Sequence, residues 1–356
     1  MIVPAARRYR RPVAPAPTVD RIRWLGLRWA SHGLGAAGPC RDRDDLLLLG
    51  VQDGRRDGAA HALAARGTGD AGTVLLHSVR GAPHRHALDR LGTVRAALAP
   101  LDTDDGGPER AATLRAVADA LARVVTGPQV KSEISAALGT RVPDLVTWCE
   151  GCGAHHVPDG DFRVAATLAG LVLVPGTGTV LEPGPATSEE STVDARSALL
   201  DAWFRLEGPV SWTTVRGWFD GDGGAMGPVW TRGAAGRIAV RVGGRRLELP
   251  EAQLDDLRSA PPAEGVALVP PHDPWLRRVD RTLLVPDAAR RSRVWRAVSA
   301  PGALLVDGEV AGTWRHRRDG TTVEPFGTLP GPVRDAVVAE AERVTGSGQV
   351  HVQAGP

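Results

Sequence analysis

"LARVVTGPQVKSEISAAL" at residues 121–138 and "AWFRLEGPVSWTTVRGWF" at 202–219 follow one plan. Each closes an amphipathic helix at Gly-Pro, Gly127-Pro128 and Gly208-Pro209, and resumes a few residues later with a polar residue suited to cap a second helix. Ile134 and Leu138 lie four apart in the first copy, as Val215 and Phe219 do in the second, so each second helix is expected to bury one face. The parallel continues downstream. "PDLVTWCEG" (143–151) and "AMGPVWTRG" (225–233) read as third helices. Each runs into strands, "FRVAATLAGLVLVPG" (162–176) and "RIAVRVGGRRLELP" (237–250), the latter a hairpin with Gly243-Gly244 at its turn.

Three helices and a β-hairpin make a winged helix, whose third helix can enter a DNA major groove while the hairpin lies on the backbone. The N-terminal part fits the same plan without the Gly-Pro marker: helices over 19–34, 43–51 and 57–67, then a wing over 73–88. From about 265 the character changes to short strands with Asp307-Gly308 and Asp319-Gly320 turns, and the chain returns to a helix over 331–345. The expected fold class is therefore α+β: three tandem winged-helix units followed by a small C-terminal β-rich domain and terminal helix. The expected boundaries are a disordered basic N-terminal arm (1–18), winged helices at 19–110, 111–190 and 191–264, and the β-rich domain at 265–356.

Composition narrows the functional classes. An apolar fraction of 42% supports real cores and excludes a disordered chain. The net charge is only +2, so any nucleic-acid surface must be a local patch. Lys131 is the one lysine; the other basic residues are arginines, which grip phosphates and guanine edges with two parallel hydrogen bonds. Three cysteines form no disulfide framework and suit a reducing compartment. No stretch reaches the roughly 18 apolar residues of a membrane span; "VAATLAGLVLVPG" (164–176) reads instead as a buried strand pair. The basic, proline-rich N-terminus lacks the apolar region of a signal peptide. A cytoplasmic monomer is expected.

Four further stretches carry a resemblance: "LGVQDGRRDGAAHALAAR" (49–66), "SVRGAPHRHALDRL" (78–91), "HDPWLRRVDRTLLV" (272–285) and "LLVDGEVAGTWRHRR" (304–318). They are similar to segments of the AlkZ/AlkX-type DNA glycosylases, winged-helix proteins that excise alkylated or crosslinked bases. The resemblance implies double-stranded DNA as partner and a catalytic motif of Gln-x-Gln or Gln-x-Asp. Gln52 stands at its first position and Gly54 at its second, with Asp53 between them. An N7-alkylated purine already carries positive charge and leaves without a general acid. What remains is to orient a water and to stabilise the developing oxocarbenium ion. Gln52 suits the first task, and Asp53, or Asp57, the second, which makes Gln52 and Asp53 the candidate catalytic pair.

The candidate DNA contacts are Arg55 and Arg56 beside that pair, Arg80, His84, Arg85 and His86 near the first wing tip, and Arg315 and Arg317 in the C-terminal Arg cluster. Asp273 and Arg281 match family positions and are expected to pair; Trp275, Trp295 and Trp314 are expected in the core. "WCEGCGAHH" (148–156) invites a zinc reading through Cys149, Cys152, His155 and His156. Four ligands so close in sequence are tighter than structural zinc sites usually use, so no metal or cofactor is expected. Two other classes stay open: a non-catalytic DNA-binding protein, regulatory or lesion-sequestering, which Gly54 favours, and winged units that bind proteins rather than DNA.

Overall fold

The computed structural model describes residues 15–35, 42–54, 58–104, 106–219 and 225–355. Most of the expected arm, Cys40, Arg55, Arg56 and Asp57 lie outside them. The fold is mixed α+β, with fifteen α-helices and five small sheets among the described residues.

Strand β1 (Thr18–Val19) includes the last residue assigned to the arm, and it pairs in parallel with a strand more than 200 residues on. Asp20 caps α1 (Arg21–Ser31), its carboxylate accepting the Ile22 N–H. The four leucines fill α2 (Arg43–Leu49), which stops at Gly50. There φ is 83°, and a side chain would meet His86 Nε2 at 2.7 Å, so only glycine makes this turn. The chain leaves it extended, as β2 (Val51–Gln52), before α3 (Gly58–Ala64). Strands β3 (Thr73–His77) and β4 (Pro83–Ala87) form the first hairpin, β2 completes its sheet in the order β2-β4-β3, and α4 (Leu91–Leu98) follows. Helix α3 packs inward on one side. Its small residues Gly58, Ala59 and Ala62, with Leu63, are buried, and His61 packs its ring against Trp314 and His316 of the C-terminal region.

The next stretch differs from expectation. After α5 (Gly107–Val124), β5 (Gln129–Val130) and α6 (Lys131–Arg141), residues 143–151 form no α-helix, only a 3-10 turn over Pro143–Leu145. Pro143 starts a single tight turn, and the aromatic and β-branched "VTW" favours strand. The chain makes a hairpin of β6 (Thr147–Cys149) and β7 (Ala154–His156). The helix comes later, as α7 (Asp159–Leu168), with Asp159 and Asp161 in its first turn and Phe162, Ala165 and Ala166 on its buried side. Residues 164–176 are therefore not a strand pair: "VAATL" is the back of α7, and only β8 (Leu171–Leu173) is strand, paired with β9 (Val180–Pro183).

Helices α8 (Thr192–Glu207), α9 (Trp212–Phe219) and α10 (Gly227–Arg232) keep the expected order. In α9 the buried pair is Val215 and Trp218, with Phe219 half-buried. Strands β10 (Arg237–Val242) and β11 (Arg245–Pro250) turn through Gly243-Gly244, both with positive φ (53° and 78°), as a tight two-residue hairpin requires. Helix α11 (Leu254–Ser259) leads to β12 (Val266–Val269), three short helices, α12 (Pro274–Arg277), α13 (Arg281–Leu284) and α14 (Ala288–Val294), and strands β13 (Gly302–Val306), β14 (Glu309–Arg317) and β15 (Gly320–Pro325). Helix α15 (Gly331–Thr345) and β16 (Val350–Val352) close the chain, and β12 to β16 form one sheet in sequential order. Trp275 and Trp314 are buried and Trp295 half-buried.

One apolar core runs from Val19 to Ala97 and resumes from Ala195 to Val352; a second gathers residues 117–181 with Leu75. Charge crosses the first core. Glu207 at the end of α8 accepts hydrogen bonds from Arg28 (2.7 Å) and His32 (3.2 Å), and Arg278 lies 3.9 Å away. Arg66 binds both oxygens of Asp273 at 2.8 Å and donates to His32 Nδ1 at 3.1 Å. Asp273 thus pairs with Arg66, not with Arg281. All six side chains are buried.

His32 is consequently a neutral donor and acceptor. Burial, with Arg66 and Arg28 close by, lowers its pKa to about 4. His86 has the same character: burial brings it to about 4, while Nδ1 faces the Leu47 and Leu48 carbonyls and Nε2 faces the Ser78 hydroxyl. The unfolded chain titrates these histidines near 6.5 and the fold refuses the proton. Their stabilisation is therefore complete above about 6.5 and is lost as pH falls towards 4, up to roughly 3 kcal/mol for each. Glu207, held at about 2, stays ionised through that window. The thermal midpoint should drop markedly between pH 7.5 and pH 4.5; an unchanged midpoint would contradict this assignment.

Candidate functional site

Gln52 and Asp53 leave the sheet on opposite faces. Gln52 stands opposite His84, and Val51 opposite Arg85. Alternation along an extended chain puts Gln52 on the His84 side and Asp53 on the Arg85 side. The contacts agree. The Asp53 carboxylate accepts the Ala59 N–H in the first turn of α3 (3.3 Å) and lies 3.7 Å from Arg85. The expected pair thus does not converge on one point, because the helix ends at Gly50 and the motif is strand. The strand itself ends at Gln52, and Gly54 follows it outside the ladder.

A cationic cluster lies beside Gly54. A side chain at Gly54 would meet only His272, at 4.0 Å from Cδ2. His272 precedes α12, and burial, with Arg277 and Arg80 nearby, lowers its pKa. Burial, with Arg80 and Arg281 close, brings Arg277 down to about 10. Among the described residues none of these three arginines is paired with a carboxylate. Arg80 and Arg281 instead lie over the rings of Trp218 (4.8 Å) and Trp295 (5.2 Å). Arg80 and His272 both hold left-handed backbone (φ 57° and 66°), a strained conformation that persists where surroundings impose it. Two buried atoms on the Gln52 side of the sheet lack a hydrogen-bond partner, Gln52 Oε1 and His84 Nε2. Such orphans mark where a ligand or ordered water completes a site.

The buried network fixes the floor. Arg278 donates to the Gly50 carbonyl, so the turn that aims Gln52 is tied to Glu207, while the preceding Arg277 belongs to the cluster. Arg80 also lines a neighbouring cleft of about 530 Å³ with Leu114, Leu199, Phe219 and Met226, to which Gln52 and His272 do not contribute.

The other expected contacts fall elsewhere. His84 and His86 are fully buried, so neither lies on the hairpin surface; inward alternation and packing against Trp218 and the α2 carbonyls put them there. Arg85 is held by Asp53 and by Asp70 (3.2 Å). Arg315 donates to the Ser299 carbonyl, and Arg317 is exposed at the end of β14, on the C-terminal sheet rather than on the elements of this cluster. Arg55 and Arg56 lie outside the described residues. Sequence reading missed His272, a lone histidine before Asp-Pro; its only signal was its place in the "HDPWLRR" stretch. Cys149, Cys152, His155 and His156, weighed as zinc ligands and set aside, lie on the β6–β7 hairpin.

Fold and site together define a class. The family model for DNA glycosylase AlkZ-like proteins matches residues 53–346, and the chain belongs to this family. Among solved structures, Streptomyces sahachiroi DNA glycosylase AlkZ has a similar fold, with a TM-score of 0.75 at 16% identity over 95% of this chain and 100% of that one. No curated protein sequence matches the chain. No helix among the described residues is long and apolar enough to cross a membrane.

Proposed function

We propose that the chain is a repair protein of the glycosylase type, which grips double-stranded DNA with three winged-helix units and releases N7-alkylated or crosslinked bases at Gln52. The observation that carries this reading is the orphaned Gln52 Oε1, two residues before Gly54, which lies beside His272 and the Arg80 and Arg277 guanidiniums near it. Unpaired arginines in a partly buried cluster suit the phosphates flanking a displaced nucleotide. A Gln amide beside them can hold a water at the far side of the sugar. The C1′–N9 bond breaks with its electron pair passing to the cationic base, the water oxygen bonds to C1′, and its proton leaves to solvent. Asp53 acts at one remove, fixing α3 against the strand.

Three small sheets, each a hairpin plus a short third strand, support the winged-helix reading. They are β2-β4-β3 with α1–α3, β5-β9-β8 with α5–α7, and β1-β10-β11 with α8–α10. Duplex binding that weakens steeply with salt, together with release of N7-methylguanine from alkylated duplex, is the test. Binding without release would favour the second reading, a non-catalytic lesion binder, for which Gly54 speaks.

Gly54 gives a further test. Its backbone is not left-handed and its side-chain position is open. Gly54→Asp, which places a carboxylate two residues from Gln52 in open space beside His272, should raise single-turnover base release by about 10-fold or more. Gly54→Ala should leave it unchanged. Equal rates in all three proteins would show that this position takes no part.

A further inference from the structure

We propose that Cys149, Cys152 and His156 bind one zinc ion that staples the β6–β7 hairpin. The Sγ atoms of the two cysteines and a ring nitrogen of His156 all lie within 4.8 Å of one another. A tetrahedral zinc, with bonds of about 2.3 Å to sulfur and about 2.0 Å to nitrogen, sets its ligands roughly 3.5 Å apart, so a small contraction closes the site. The site is independent of Gln52 and its cluster.

The local structure is already arranged for a cation. His156 Nδ1 faces the Val157 carbonyl at 2.7 Å, which places the proton on Nδ1 and leaves Nε2 as a bare lone pair. That Nε2 is buried and has no hydrogen-bond partner. The chain between the cysteines folds back tightly: the Cys152 and Gly153 N–H groups donate to the Cys149 carbonyl at 3.2 and 2.8 Å, and Gly153 takes φ 62°.

The hairpin also needs a staple. It is a separate two-stranded sheet with three residues in each strand, too short to be stable by its backbone hydrogen bonds. It holds Trp148 57% exposed, with the His155 ring 5.2 Å away rather than among the ligands. Two thiolates and an imidazole select a borderline-soft ion such as zinc over magnesium or calcium. Glu150, between the two cysteines in sequence, is exposed and not grouped with them, and Asp159 is bound by Lys131 and Arg163, so the fourth position is left to water or an external donor.

The test uses the untagged full-length chain purified under reducing conditions. Elemental analysis should find about one zinc per chain. Cobalt substitution should give thiolate-to-cobalt charge-transfer absorption. Cys152→Ser and His156→Ala should lose the metal, and His155→Ala should keep it. If a cysteine variant folds poorly, thiol alkylation of the wild type supplies the same answer: Cys149 and Cys152 should react slowly with zinc present and rapidly after chelation, with Cys40 as internal reference. Metal-free protein without a cobalt spectrum, zinc retained in Cys152→Ser, or alkylation indifferent to chelation would each overturn the proposal.

Discussion

Replacing Glu207 by alanine should lower the stability of the fold by about 3–5 kcal/mol. The figure comes from what is left behind. Arg28 and Arg278 are fully buried and cannot shed their charge near neutral pH; burial brings Arg278 only to about 10. Glu207 is their shared anion. Burial would push its carboxyl up, yet His32, Arg28 and Arg278 hold it at about 2. Without it two guanidiniums stay in the core with one remaining carboxylate, Asp273, already gripped by Arg66. Glu207→Gln, which keeps an acceptor but not the charge, should fall between wild type and alanine. The urea or thermal midpoint reads the effect, and a change below about 1 kcal/mol, the range of an exposed ion pair, would show the network to be dispensable. Because Arg278 holds the Gly50 carbonyl, residual folded Glu207→Ala protein should also release base more slowly.

Gln52→Ala should lower base release by about 100-fold or more, the usual consequence of removing a group that positions a reacting water. Stability should hardly move. The Gln52 carbonyl oxygen is buried and unpartnered, so its removal costs no hydrogen bond within the protein. Duplex affinity should also be kept, because Arg80, Arg277 and Arg281 remain. Loss of release together with loss of binding would instead make Gln52 a binding residue.

How much of this was legible in the sequence depended on the range of the interaction. The terminal helix was readable because its signals are local: Pro332 in its first turn, an apolar period, and Gly346 at its end with φ 65°. The Gly243-Gly244 hairpin was readable for the same reason. The 143–176 stretch misled because the apolar end of α7 runs straight into the strand "LVL", so the helix in "DGDFRVAATL" looked like strand and the cysteine hairpin like helix. At the site, Gln52 was found through its stretch, but the side from which it acts was not. The leucine run suggested a helix up to Val51, and the close approach of His86 to Gly50, where only glycine fits, comes from 36 positions away. Glu207 went unnoticed because its partners Arg28 and His32 lie 179 and 175 residues earlier. No pattern in one stretch announces an ion pair of that span.

The central claim, that Gln52 acts on a DNA lesion beside an arginine cluster, is tested most directly by base release from N7-methylated duplex under single-turnover conditions. Wild type and Gln52→Ala are compared at equal duplex occupancy. The expected result is release by wild type and a rate lower by about 100-fold or more in the variant. Equal release by both proteins, or none by wild type while it occupies the duplex, would contradict it.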